Sequence, residues 1–185
     1  MASQYPPVPE KSAHSIADAW HRELPGVPVS SIGVVTPLWR LAKLFGDDRR
    51  RVLARLGVDT ATLDLLSVLR RSGPPYTLTT RELGHRSLVT AGAVSQRVAR
   101  AESDGLVTRS APTGRPRTVE VTLTPAGHTL VESTVASVLT RESDLLAGLN
   151  GEERTQLATL LEKLFTTAAD TLDDHRVTHV GEGSP

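Results

Sequence analysis

The chain has 185 residues, of which 38% are hydrophobic and 3% aromatic, and this fits one domain with extensions. It has no cysteine, which excludes disulfides, cysteine zinc sites and thiol-based redox sensing. Its 21 Lys/Arg balance its 21 Asp/Glu, yet residues 76–125 carry seven cations against four acids, whereas residues 126–185 carry four against ten.

Several functional classes find no support in the sequence. No segment approaches about eighteen successive apolar residues, and the N-terminus lacks a basic-then-apolar signal pattern. The six histidines are scattered, and there is no glycine-rich phosphate loop and no nucleophile motif. We therefore expect a cytoplasmic protein without membrane association, catalytic residues, metal site or cofactor.

Residues 1–58 read as a tail followed by helices. Residues 1–11 are polar and proline-rich, which predicts disorder. In the segment 12–58, Ser12–Leu24 is a short amphipathic helix with Trp20, and Ser30–Leu56 is a long helix. Pro37 either kinks that long helix or marks its first turn.

The next part of the chain, residues 59–124, contains the pattern of a helix-turn-helix. Asp59 or Thr60 caps a helix that runs to about residue 71. Thr79 caps a second helix, the chain breaks around residues 87–89, and Thr90 caps a third helix that ends before Gly105.

The helix that follows Thr90 has two different faces. Val94, Val98 and Ala101 recur at i, i+4 and i+7 and predict a buried seam. The opposite face is small, polar and basic, as close approach to a major groove requires. From this part of the chain we predict DNA contacts by Thr79, Thr90, Ala91, Gly92, Ser95, Gln96 and Arg100.

Two short β-type runs come next, at Leu106–Ser110 and Thr118–Leu123. The loop between them carries Arg115 and Arg117 and no acid, so we predict that both arginines contact a minor groove or phosphates. A solvated turn with two surface arginines is the alternative, but its position directly after a helix-turn-helix favours nucleic acid.

The region 125–176 consists of two further apolar helices. Thr124 with a following proline starts the first, and Asn150 caps the second. A small domain seldom needs two long apolar helices outside its core, so these and the N-terminal helices predict a homodimer interface. Residues 177–185 are expected to form a loose tail.

We call the two β-type runs and the basic loop between them the wing. A resemblance to the winged helix of the MarR family of transcriptional regulators covers Ser95–Arg109, the wing and the sequence LTPAG at Leu123–Gly127. The resemblance implies a mostly α fold with a small β-hairpin wing, in which N- and C-terminal helices form the dimer. The family usually has Asp-x-Arg in its wing. Here Arg115 stands in place of the aspartate, and Arg117 matches the arginine.

A narrower resemblance, to the urate-responsive branch of that family, rests on the Trp-bearing first helix and on RRSGPPYTLT at residues 70–79. It implies that Trp20, Asp64 and Arg97 respond to ligand. Ser72 stands where at least one member has a contacting asparagine, and Phe45 stands where the branch has a histidine.

The chemistry of these side chains suits a flat anion. An indole stacks on a ring, and a guanidinium pairs with an anion in a forked geometry. The switch hypothesis is that ligand charge competes with Asp64 for Arg97, which shifts the recognition helix and releases DNA. The alternative is a structural Asp64–Arg97 salt bridge with Trp20 as a core residue.

We therefore interpret the chain as a regulator, most simply a repressor, that binds double-stranded DNA at a pseudo-palindromic operator as a homodimer. A small anionic effector such as urate would release it. The alternatives are a ligand-independent regulator of the same type and a winged-helix module that binds proteins.

Overall fold

The computed structural model describes residues 12–111 and 118–172. These residues form seven helices and three strands, in an order that agrees with the mostly helical prediction. The elements are α1 (Ala13–Glu23), α2 (Ile32–Leu56), α3 (Thr60–Arg71), β1 (Thr77–Thr79), α4 (Thr80–Ser87), α5 (Ala91–Ser103), β2 (Val107–Ser110), β3 (Glu120–Leu123), α6 (Pro125–Leu145) and α7 (Gly151–Leu172).

The small sheet has three antiparallel strands in the order β1-β3-β2, one more than the hairpin predicted from the sequence. The extra strand β1 pairs Leu78 with Val121, and the hydroxyls of Thr77 and Thr122 lie 2.8 Å apart. Three residues form β1, directly before α4. Its pairing with β3 anchors the start of α4.

The described residues fall into two compact units, which part within α2 between Asp48 and Arg49. In the first unit Ser12 caps α1, and its hydroxyl accepts a hydrogen bond from the Ser15 amide at 3.1 Å. Pro37 lies inside α2 and so does not mark its first turn.

The second unit has its core around α3, which packs against α4, α5, α6 and β3. Leu63, Leu66, Val68 and Leu69 of α3 are buried, and so is the seam of α5. The core comprises Val52, Leu53, Val58, Leu63, Leu65, Leu66, Val68, Leu69, Leu78, Leu83, Val94, Val98, Ala101, Val107, Val121, Leu123, Val131 and Val138.

The last helix, α7, is different because its side chains from Gly151 to Thr167 are all exposed in the single chain. They include five large apolar residues. Among the helices that the structure describes, none has the length and apolar character needed to cross a membrane.

Candidate nucleic-acid interface

Threonine hydroxyls cap both helices of the helix-turn-helix, as the sequence predicts, and so determine where α4 and α5 begin. Thr79 Oγ1 accepts from the Glu82 amide at 3.2 Å, and the Thr79 amide donates to Glu82 Oε2 at 2.8 Å. The hydrogen bonds that the Thr79 amide and hydroxyl donate to Glu82 Oε2 lower the pKa of Glu82. Leu88 then turns the chain with φ 55 and ψ 32, and Thr90 Oγ1 accepts from the Ala93 amide at 3.3 Å to start α5.

The orientation of α5 follows from its buried seam, since Val94, Val98 and Ala101 are each no more than 2% exposed. The opposite face is therefore turned to solvent. Among the predicted DNA-contacting residues that the structure describes, Thr79 is the exception, because it is only partly exposed and its hydroxyl serves the helix cap. The predicted residues that are exposed are Thr90, Ala91, Gly92, Ser95, Gln96 and Arg100.

Gly92 offers a direct probe of this face. A Cβ added there meets no atom within 4 Å, so alanine fits the free protein and should stabilise α5 by about 1 kcal/mol through helix propensity. If the face enters a major groove, the added methyl group keeps the helix from the bases. We expect Gly92→Ala to unfold at higher denaturant concentration and yet to bind DNA about tenfold more weakly. Unchanged DNA affinity would place Gly92 outside the interface.

Arg100 is held from α3 by an ion pair that the sequence analysis did not predict. Its Nη2 lies 3.4 Å from Oδ2 of Asp59, the residue that caps α3 by accepting from the Thr62 amide at 2.9 Å. Burial raises the pKa of Asp59, but the hydrogen bonds from Thr62 and the charge of Arg100 outweigh it, so the net shift is downward. The pair links the first core helix to the solvent face of α5.

A groove of about 340 Å³ lies at the N-terminal end of α5, next to the first turn of α4 and to β2. It brings the predicted residues Ala91 and Ser95 together with Thr80 and with two cations, Arg81 and Arg109. Neither arginine is among the residues predicted from the sequence to contact DNA. The available signal was the positive balance of residues 76–125, because Arg81 and Arg109 belong to its seven cations.

Arg109 is held by Glu102, at the end of α5. The Arg109 amide donates to Glu102 Oε1 at 3.3 Å, and its Nε donates to Oε2 at 2.7 Å. Nη2 also donates to Oε2. These contacts lower the pKa of Glu102 and raise that of Arg109, so both groups stay charged at neutral pH.

The predicted wing arginines, Arg115 and Arg117, lie outside the described residues. The two strands that flank them are present, with Thr108 paired to Thr122. Contacts of both arginines with DNA therefore stay predictions.

Asp64 on α3 and Arg97 on α5 form a nearly buried ion pair. Asp64 Oδ2 lies 3.8 Å from Arg97 Nη1, and the side chains are 9% and 15% exposed. Water screens such a pair less than it screens a surface pair. The contact thus connects α3 to the helix whose outer face is the candidate DNA surface.

A cavity of about 540 Å³ opens beside Asp64, between the end of α2, α3 and α6. Its wall combines cations and aliphatic side chains with the carboxylates of Asp64 and Glu132. Arg49 Nη1 donates to Glu142 Oε1 at 3.0 Å, and Arg49 Nε is buried without a partner among the described residues. The lining residues are Arg49, Asp64, Ser67, Arg70, Arg71, Val131, Glu132, Val135, Ala136 and Leu139.

Of the four predicted ligand residues, only Asp64 is among those lining this cavity; Arg97, Ser72 and Trp20 are not. The Ser72 hydroxyl donates to the Leu69 carbonyl at 2.7 Å and so serves the end of α3. Trp20 is on α1, in the first unit, where it is 51% exposed. It is therefore not a core residue of that unit in the single chain. A ligand role for either residue stays a prediction.

Comparison with known proteins gives consistent matches. Residues 56–116 match the model of the MarR family. The chain is 27% identical over 149 residues to the HTH-type transcriptional regulator PecS of Dickeya dadantii, a match that covers 80% of this chain and 90% of PecS.

Two solved structures extend the similarity to the fold. One concerns regulation of the DNA binding of BpsR from Bordetella bronchiseptica by 6-hydroxynicotinic acid. It has a TM-score of 0.61 and 25% identity, and covers 72% of this chain and 94% of BpsR. The other is a cysteine-to-serine mutant of MarR from E. coli with operator DNA. It has a TM-score of 0.58 and 27% identity, and covers 70% of this chain and 94% of MarR.

Proposed function

We propose that this chain, a transcriptional regulator of the MarR family, represses transcription by binding a pseudo-palindromic DNA site as a homodimer, and that a small anion releases it. The observation that carries the proposal is the exposed face of α5. A helix held by a buried seam presents small side chains, an amide and a guanidinium outward, which suits readout in a major groove.

The homodimer is supported by the apolar residues that the single chain leaves exposed. On α7 they form a stripe at helical spacing, and their burial against a second copy would remove them from water. Two copies related by a two-fold axis would place two α5 helices about one DNA turn apart. The residues of the stripe are Leu157, Leu160, Leu161, Leu164 and Phe165.

The effector site is supported by the cavity beside α3. Its volume of about 540 Å³ falls within the range of small-molecule sites. Arg49, Arg70 and Arg71 supply cationic donors, and the buried Nε–H of Arg49 is a donor that an anionic group could satisfy. A small aromatic acid fits this combination of cationic and aliphatic walls, and BpsR, with its 6-hydroxynicotinic acid, provides a precedent among similar proteins.

Coupling between cavity and DNA is proposed to run through Asp64. Its carboxylate lines the cavity and also pairs with Arg97 on α5. A bound anion would repel the Asp64 carboxylate and would compete with it for the guanidinium of Arg97. A coupling of about 1–3 kcal/mol suffices for a 5- to 150-fold change in DNA affinity.

The test is fluorescence anisotropy of a labelled duplex from upstream of the protein's own gene, with and without millimolar urate or 6-hydroxynicotinate. We expect wild type to release the duplex with at least one of them. Asp64→Asn keeps the shape of the side chain and removes its charge, so it should bind DNA and dimerise but respond at least fivefold less. Arg97→Ala should lose the response in the same way.

Two outcomes would contradict parts of the proposal. Wild-type sensitivity in both variants would exclude the Asp64–Arg97 switch. Tight DNA binding that neither acid reverses would favour a regulator that responds to another anion or to none.

A further inference from the structure

Two cations of the winged helix, Arg81 and Arg109, are not among the residues predicted to contact DNA. Both line the groove of about 340 Å³ at the start of α5. Arg81 comes from the first turn of α4, and Arg109 comes from β2, an edge strand of the sheet. Separate elements therefore bring two positive charges to one concave surface.

Part of the remaining wall suits an anionic oxygen, and the apolar side chains of Val98 and Val119 complete the lining. The hydroxyl side chains of Thr80 and Ser95 line the groove, together with Ala91, whose small side chain leaves room. Ala91 is also the first residue of α5. In helix-turn-helix proteins this end of the recognition helix meets the bases, so the groove would lie next to the DNA backbone.

The guanidinium of Arg109 is oriented before any ligand arrives. Glu102 engages Nε and Nη2 of Arg109 and also accepts from its backbone amide. The pairing leaves the N–H groups of Nη1 outside the contact with Glu102. A guanidinium fixed in this way loses less side-chain entropy when it binds an anion.

We propose that the groove holds one phosphodiester group of the bound duplex, between Arg81 and Arg109, and that Glu102 is the residue that positions Arg109. This inference rests on the proposed DNA binding. The proposed phosphate contact is made by β2 and the first turn of α4, and it does not depend on the DNA sequence. Arg81 and Arg109 then set register and affinity, whereas the face of α5 reads the bases.

The test measures the salt dependence of binding to the specific duplex and to a scrambled one. Each phosphate contact contributes about one unit to the slope of log affinity against log salt. We therefore expect Arg81→Gln and Arg109→Gln each to lower the slope by about one unit and to weaken both duplexes about fivefold to tenfold at 0.1 M salt. Lys163→Gln removes the same charge outside the winged helix, on the face of α7 opposite the apolar stripe, and should leave the slope unchanged.

The DNA affinity of Glu102→Gln shows whether Glu102 mainly repels DNA or mainly positions Arg109. Removing an acid close to DNA would by simple electrostatics strengthen binding. If Glu102 positions Arg109, the variant should instead bind about threefold more weakly, with the circular dichroism spectrum and unfolding midpoint of wild type. The substitution should have no further effect in an Arg109→Gln background.

Each failure has a distinct meaning. Tighter binding by Glu102→Gln would overturn the positioning role. Unchanged slopes in both arginine variants would overturn the phosphate site. A wild-type protein without salt-dependent DNA binding would instead contradict the proposed function itself.

Discussion

Gly127→Ala is expected to destabilise the protein by about 3 kcal/mol, because the added methyl group has no room in the packing of α6 against the sheet. A Cβ at Gly127 would lie 2.1 Å from the Leu106 carbonyl oxygen and 3.1 Å from Leu123 Cδ2. The Leu106 oxygen is already fixed, because it accepts a hydrogen bond from the Thr124 amide at 3.1 Å. Relief of the clash therefore requires α6 to move away from the sheet.

The measurement is urea unfolding at one fixed protein concentration, since the stability of a dimer depends on concentration. Gly151→Ala is the matched control, because it adds the same methyl group to the start of α7 with no atom within 4 Å. It should be neutral or slightly stabilising. A Gly127→Ala protein within about 0.5 kcal/mol of wild type would show that α6 does not pack this closely.

The second large effect concerns the stripe on α7. Leu161→Glu together with Leu164→Glu places two charges in the proposed dimer interface, and burial of unpaired charge is strongly unfavourable. We expect a folded monomer by sedimentation equilibrium. We also expect DNA affinity at least 100-fold lower, because two linked winged helices gain about 10²–10⁴ over one.

The control places the same two charges on the other side of the helix. Thr159 and Thr166 lie on the face of α7 opposite the stripe, so Thr159→Glu with Thr166→Glu should leave dimer and DNA affinity unchanged. A stripe variant that stays dimeric would refute α7 as the interface. A monomer that keeps wild-type DNA affinity would refute the need for a dimer.

Local signals in the sequence were sufficient for much of the fold. The caps at Thr79 and Thr90 were predictable because a hydroxyl before a helix satisfies amides only two or three residues away. The seam of Val94, Val98 and Ala101 was predictable because helical periodicity places them on one side. Together these signals determine which face of α5 is exposed.

Features that depend on distant pairing were not predictable in this way. Strand β1 has three residues and exists because Thr77 meets Thr122, 45 residues later. The cavity beside Asp64 combines walls from α2, α3 and α6, so no single segment carries its signature. The LTPAG segment resembles the family, but the need for glycine at residue 127 follows only from its close packing against the Leu106 carbonyl.

In the candidate site, too, the residues of one helix were predictable and those brought together from distant segments were not. The residues of one helix face, such as Gln96 and Arg100, could be read from spacing, since they follow from the seam. Arg81 and Arg109 could not, because the groove that unites them forms only when β2 folds back along α5. The ion pair of Arg100 with Asp59 likewise joins two helices far apart in sequence.

The most direct test of the central claim is the affinity of the purified protein for the duplex from upstream of its own gene, at 0.05 and 0.2 M salt, beside a scrambled duplex. We expect tighter binding to the upstream duplex and a loss of about 10³-fold or more on both duplexes at the higher salt. Equal affinity for both duplexes with no dependence on salt would contradict a DNA-binding regulator and would favour a winged helix that binds proteins.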